Sequence, residues 1–180
     1  LIVGYYAAEG SGGAGGRSIS FALDEHTNTQ YQKQLLSAIN NVFGFHAKTY
    51  IKKGNVIDIG INSRLVNEVI KFICPGISTT KLINHDILFS NEQFLRGVIE
   101  GYWNGDGCLG ETAAIASSTS LGLINQMRLA ISYFNIGSSI GFKGIPKNNY
   151  QPHHKKKIQA KSPSYTLVMQ GKQYRNFLFE

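Results

Sequence analysis

The chain has 180 residues, 42% hydrophobic and 16% charged, a globular composition long enough for one sizeable domain or two small halves around a shared core. No apolar run reaches the roughly eighteen residues of a membrane span, and the apolar first eight residues lack the basic flank of a signal peptide. The formal charge of +7 is unevenly placed, since Thr112 to Phe179 contains no acid and nine basic residues. Such a one-signed field points to a polyanionic partner, above all nucleic acid, more than to a merely solvated surface, where acids and bases are interspersed.

In chain order, the first element is a helix ending in "GYYAAEG" at residues 4–10. "RSISFAL" follows as a strand with Ile19, Phe21 and Leu23 on one face. The periodicity then predicts a helix from Thr29 to Phe43 with Leu35, Leu36, Ile39 and Val42 inward. "HAKTYIKKGNVIDIGI" reads as a hairpin turning at "KKGN". Ser63 caps a helix over "RLVNEVIKFI", which Pro75 and Gly76 end. Residues 74–90 link two halves, 1–90 and 91–180.

The second half opens with a helix over "EQFLRGVIE", capped by Asn91 or Ser90 and running into "GYWNGDG" at residues 101–107. "AAIASS" is a strand and "LGLINQMRLAISYF" a helix, with Ser118 or Thr119 as its cap. "GSSIGFK" and "SYTLVMQ" pair as strands. Between them, residues 144–163 form a long basic loop with five lysines, a length usually reserved for function or disorder.

"GYYAAEG" and "GYWNGDG" are two copies of one pattern, 97 residues apart. In each, small residues fall four apart on one helix face: Gly4 with Ala8, and Gly101 with Gly105. Two such faces can cross with their backbones close together. Gly10 and Gly107 fit the position that ends a helix in a left-handed turn. Tyr102 and Trp103 read as packing residues. Glu9 and Asp106 then stand at the last turns of two adjacent helices, near a pseudo-twofold axis. Two carboxylates beside the free carbonyls of helix ends, those of Ala8 and Gly105, repel unless a cation lies between them. Hard oxygen ligands there suit Mg²⁺, with Mn²⁺ as a substitute.

At these residues the sequence resembles the LAGLIDADG homing endonucleases, in the two-motif, single-chain form found inside inteins. The resemblance implies an α+β fold of two αββαββα repeats related by a pseudo-twofold axis. Each repeat carries an antiparallel sheet, and the two form a saddle over DNA. It makes Glu9 and Asp106 the metal ligands, and Asn104 a motif position outside the ligand set. A "K-x-I-P" segment of the intein members matches "KLIN", with Asn84 in place of the proline. Its Lys81, 25 residues before Asp106, would polarise the water network at the scissile phosphate. The second-repeat lysine would fall near or beyond residue 180, with Lys172 a weak stand-in. With neither initiator Met nor terminal His-Asn, the chain reads as the endonuclease portion of something longer. Cys74 and Cys108 lack metal-ligand spacing and a disulfide framework, so both are expected reduced, in an intracellular protein.

In each sheet one face is expected on the helices and the other on DNA. Alternation gives the first open face Ser18, Ser20, Ala22 and Asp24, then Lys48, Tyr50, Lys52 and Asp58. The second receives Thr112, Ala114, Ala116, Ser139, Gly141, Lys143, Thr166 and Gln170. Such mixed side chains suit base-edge readout in a major groove, although any half-exposed sheet also alternates. Arg17, Lys155, Lys156, Lys157 and Lys161 are expected on phosphates. His153 and His154 read as plain surface.

The leading expectation is a monomeric, Mg²⁺-dependent endonuclease that breaks both strands of a long asymmetric DNA target. A relative that binds DNA without cutting, or a maturase that binds intron RNA, are the rivals.

Overall fold

The computed structural model describes residues 1–24, 29–52, 56–145 and 162–170. The chain begins with helix α1 (Ile2–Glu9), which passes directly into strand β1 (Gly10–Gly12). A single 3-10 turn (Ala14–Gly16) leads to β2 (Ile19–Asp24), α2 (Thr29–Phe43), β3 (Lys48–Lys52), β4 (Val56–Ile61) and α3 (Arg64–Ile73). The short α4 (His85–Leu88) lies in the connection between the halves.

The order then repeats: α5 (Glu92–Asp106), β5 (Gly107–Leu109), β6 (Ala113–Ser118), α6 (Leu121–Tyr133), β7 (Ser138–Lys143) and β8 (Ser164–Gln170). A second-repeat counterpart of α3 would fall at residues 171–180, outside the described residues. The strands form two four-stranded antiparallel sheets with the same topology, β1-β2-β4-β3 and β5-β6-β8-β7. The two-repeat α+β architecture read from the internal repeat is therefore present. Strands β1 and β5 are additions to it, too short at three residues each to show in a hydrophobic pattern.

The helices α1 and α5 form the centre of the molecule. Ile2 to Ala7 are all buried, so α1 has no solvent face. A Cβ added to Gly4 would fall 2.7 Å from the Tyr102 nitrogen, and one on Gly101 would fall 2.9 Å from the Tyr5 nitrogen. At Gly105 it would stand 2.6 Å from the Ala8 Cβ. The small residues thus let the two backbones touch, as the spacing predicts. Tyr5, Tyr102 and Trp103 are buried beside the contact, in the packing role expected of the aromatics.

Several local expectations are corrected. Gly10 and Gly107 are not left-handed: their φ/ψ of −81/145° and −88/148° are extended, because each helix feeds straight into a strand. Glycine is needed there because a Cβ would strike the ring of the aromatic four residues earlier, Tyr6 or Trp103. The cap of α6 is Ser120, not Ser118 or Thr119; its hydroxyl accepts from the Leu123 N–H at 3.2 Å. Val42 is 65% exposed, on the solvent side of α2, while Leu35 and Ile39 face the core. Asn91 and Ser63 do cap α5 and α3.

Candidate active site

The two motif acids stand at the paired ends of α1 and α5, the last residue of each helix. Burial raises the pKa of both carboxyls, and for Glu9 the neighbouring Asp106 charge raises it further. Asp106 is partly relieved by its hydrogen bond with Glu9 and by the Lys81 charge. Two acids in this state hold a proton that each alone in water would release. The same arrangement could hold a hard cation, with the last-turn carbonyls of Ala8 and Gly105 at the same helix ends. No cluster of three or more His, Cys, Asp or Glu exists among the described residues, so any cation here rests on this pair and on non-carboxylate oxygens.

Lys81 reaches the same place from the connection between the halves. Its side chain is buried, with the residue 6% exposed, and its ammonium donates to the Tyr6 carbonyl at 2.8 Å and the Gly10 carbonyl at 2.9 Å. It also lies 5.0 Å from the centre of the Tyr6 ring. Lys81 therefore gives the Tyr6 carbonyl a second donor beside the Gly10 N–H, bonds the Gly10 carbonyl, and puts a cation beside the two acids. Burial lowers its pKa, and the charges of Cys74, Asp106 and Glu9 oppose that shift.

Glu9, Asp106 and Lys81 line one cleft of about 590 Å³. Its other walls include the β1 residues Gly10, Ser11 and Gly12, the loop residues Gly76, Ile77 and Ser78, Ser117, Ser118 and Ser164 from the second sheet, and Thr119 just after β6. This ring of hydroxyls was not singled out in the sequence, where only the run "ASSTS" hints at it. Asn104 is engaged elsewhere: its amide donates to Gln34 of α2 at 2.8 Å. Lys172 lies outside the described residues.

The open face of the first sheet is close to expectation. Ile19, Phe21 and Leu23 are buried, so Ser18, Ser20, Ala22 and Asp24 take the opposite side. Tyr50 pairs with Asp58 and Lys48 with Gly60 on that side. Lys52 and Asp58 are ion-paired at 2.8 Å, so one of the two acids named on this face is already paired. Arg17 is exposed just after the 3-10 turn.

The second sheet differs in β6. Ala114 and Ala116 are fully buried against the helices, and Ala113, Ile115 and Ser117 take the open side. Thr112 is exposed but precedes the strand. On β7, Ser139, Gly141 and Lys143 are on the open side as expected, paired with Val168, Thr166 and Ser164. Thr166 shares that side but is buried, its hydroxyl 3.4 Å from the Gly141 carbonyl. Gln170 pairs with Ala113 at the strand end. Lys155, Lys156, Lys157, Lys161, His153 and His154 lie outside the described residues, as does most of the basic loop.

Residues 93–180 match the family model of the LAGLIDADG-like domain. The second half of the chain therefore carries a LAGLIDADG-like domain. Its fold is similar to that of mesophilic variants of the homing endonuclease I-DmoI, with a TM-score of 0.64 over 98% of this chain and 90% of that one, at 10% identity. I-DmoI in complex with DNA and Ca gives 0.61 over 98% and 84%, at 9% identity. The N-terminal LAGLIDADG domain of DUF199/WhiA gives 0.60 over 98% and 78%, at 12% identity. At such identities the likeness is one of fold. No curated protein sequence matches the chain.

Proposed function

We propose that this LAGLIDADG protein is a site-specific endonuclease that makes a metal-dependent double-strand break in a long, asymmetric DNA target. One observation carries the reading: Glu9 and Asp106, from two repeats, end two helices in backbone contact and share one cleft with Lys81. A decayed binder has no need to keep two half-buried carboxyls together, whose repulsion is relieved without metal only by a retained proton and by Lys81. Solved complexes of the similarly folded I-DmoI contain DNA with Ca or with Mn, and one of its variants was solved with DNA in the presence of Mg.

The donor set fits a small hard cation, since all available ligands are oxygens at two helix C-termini. Glu9 and Asp106 would hold Mg²⁺, or Mn²⁺ in its place, with the carbonyls of Ala8 and Gly105 nearby. Such an ion supplies Lewis-acid activation of water and stabilisation of the departing 3′ oxygen. The protein's own residues do the rest. The paired helices fix the distance between the acids, and Lys81 lends a positive charge to one of the two strands. Residues on the open sheet faces orient the duplex: Ser20, Lys48 and Tyr50 in the first repeat, Ile115, Ser139 and Lys143 in the second. These two faces differ in chemistry, so the half-sites they read differ as well.

One chain supplies both sheets, so the active species is a monomer. "KLIN" in the linker favours the intein type, and the two free thiols fit an intracellular setting. The test is Asp106→Asn: divalent-dependent cleavage disappears while duplex binding persists. Cleavage that survives this substitution refutes the mechanism.

A further inference from the structure

The segment that carries Lys81 is held by the other repeat. After α3 the chain turns at Gly76, whose φ of +98° is one that only glycine adopts readily, and runs along the start of α6. There Thr119 Oγ1 donates to the Ser78 carbonyl at 2.8 Å, and Ser120 Oγ donates to the carbonyl of Lys81 itself at 2.8 Å. Two residues on, Gln126 accepts from the Ile83 N–H at 2.8 Å and donates to the Ile83 carbonyl. Gly122 seats the intervening Leu82, since a Cβ there would fall 2.5 Å from Leu82 Cδ2. Ser120 is buried and serves twice, because it also caps α6. Lys81 is thus fixed at both ends, its backbone to α6 and its ammonium to the end of α1.

A lysine side chain is long and flexible, so where its ammonium can go depends on where its Cα is anchored. We propose that Ser120 and Gln126 of the second repeat are positioning residues that hold Lys81 beside Glu9 and Asp106. This rests on the reading of the cleft as a nuclease centre. Because Lys81 serves one strand, loss of the clamp impairs one of the two cuts and leaves the other.

The test uses Ser120→Ala and Gln126→Met, with Ser120→Thr as the conservative variant that keeps the hydroxyl. Ser63→Ala is the control, since it removes the comparable N-cap of α3. Each strand of the selected target duplex is end-labelled separately and its cleavage timed. In the two clamp variants one strand is cut about tenfold more slowly and nicked duplex accumulates, as a displaced catalytic group predicts. The Kd for the duplex stays within about twofold, the Thr variant cuts both strands normally, and the control favours neither strand. In parallel, acetic anhydride labelling reads the anchor directly. Lys81 is protected in the unsubstituted chain and reacts about tenfold faster in the clamp variants, relative to exposed Lys48 and Lys143.

Equal slowing of both strands, in step with lost thermal stability, overturns the proposal, as does unchanged Lys81 labelling. If the unsubstituted chain cuts neither strand, the nuclease reading fails separately. The labelling then still decides whether Ser120 and Gln126 hold Lys81.

Discussion

A Cβ placed on Gly4 would fall 2.9 Å from the Cα of Gly101, so the two motif helices approach as closely as their backbones allow. That approach is what brings Glu9 and Asp106, five residues further along each helix, to one cleft. Position in the contact, not helix propensity, decides which residue each site tolerates.

Gly4→Ala should therefore destabilise the protein. Alanine improves helix propensity by about 1 kcal/mol. The clash, however, is with backbone that cannot move aside, and overpacking of this kind costs about 1–3 kcal/mol or more. A net loss of about 2 kcal/mol is expected in urea denaturation, with Gly101→Ala similar. Gly137→Ala should be close to neutral, because nothing lies within 4 Å of that Cβ.

The acid pair sets a pH dependence in the absence of metal. Glu9 and Asp106 have folded pKa values above their unfolded ones, so the folded state binds more protons across that interval. Stability then falls as pH rises, from about pH 3.8, the ordinary Asp106 value, to the raised Glu9 value of about 8. Thermal melts in EDTA should show this decline. Asp106→Asn should flatten it, since it removes one of the two repelling charges, and Mg²⁺ should raise the melting temperature most at the alkaline end. A flat profile in the unsubstituted chain would show that the carboxyls do not share a site.

Lys81→Met removes both the charge beside the acids and the donor to two carbonyls. Losing these two charge-assisted hydrogen bonds should cost about 1–3 kcal/mol in chemical denaturation. Cleavage of one strand should drop by at least about 100-fold, leaving a nicking enzyme. Equal loss on both strands would assign Lys81 a structural role only.

The sequence made the site legible because its signal is a repeat. Two copies of small-xxx-small followed by an acid imply two touching helices and a carboxylate pair, whatever lies between them. The Thr29–Phe43 helix was equally plain, because its apolar positions follow a 3.6-residue period. The face of β6 departs from the expected alternation for a physical reason. Alternation in "AAIASS" invites Ile115 inward as the larger apolar residue, yet β6 packs on α5 and α6 through Ala114 and Ala116. Ile115, at 39% exposure, is left on the open face. The partners of Lys81 were out of reach for another reason: they are backbone carbonyls more than seventy positions away, which no side-chain pattern encodes.

The most direct test of the central claim is to incubate the protein with a randomised duplex library, with and without Mg²⁺, and sequence the cut and bound fractions. Cleaved molecules should share one long asymmetric site, only when metal is present, with cutting abolished by Asp106→Asn. Enrichment of a bound site with no cutting under any divalent ion would refute the nuclease reading, and would make Glu9 and Asp106 a half-buried acid pair without a catalytic task.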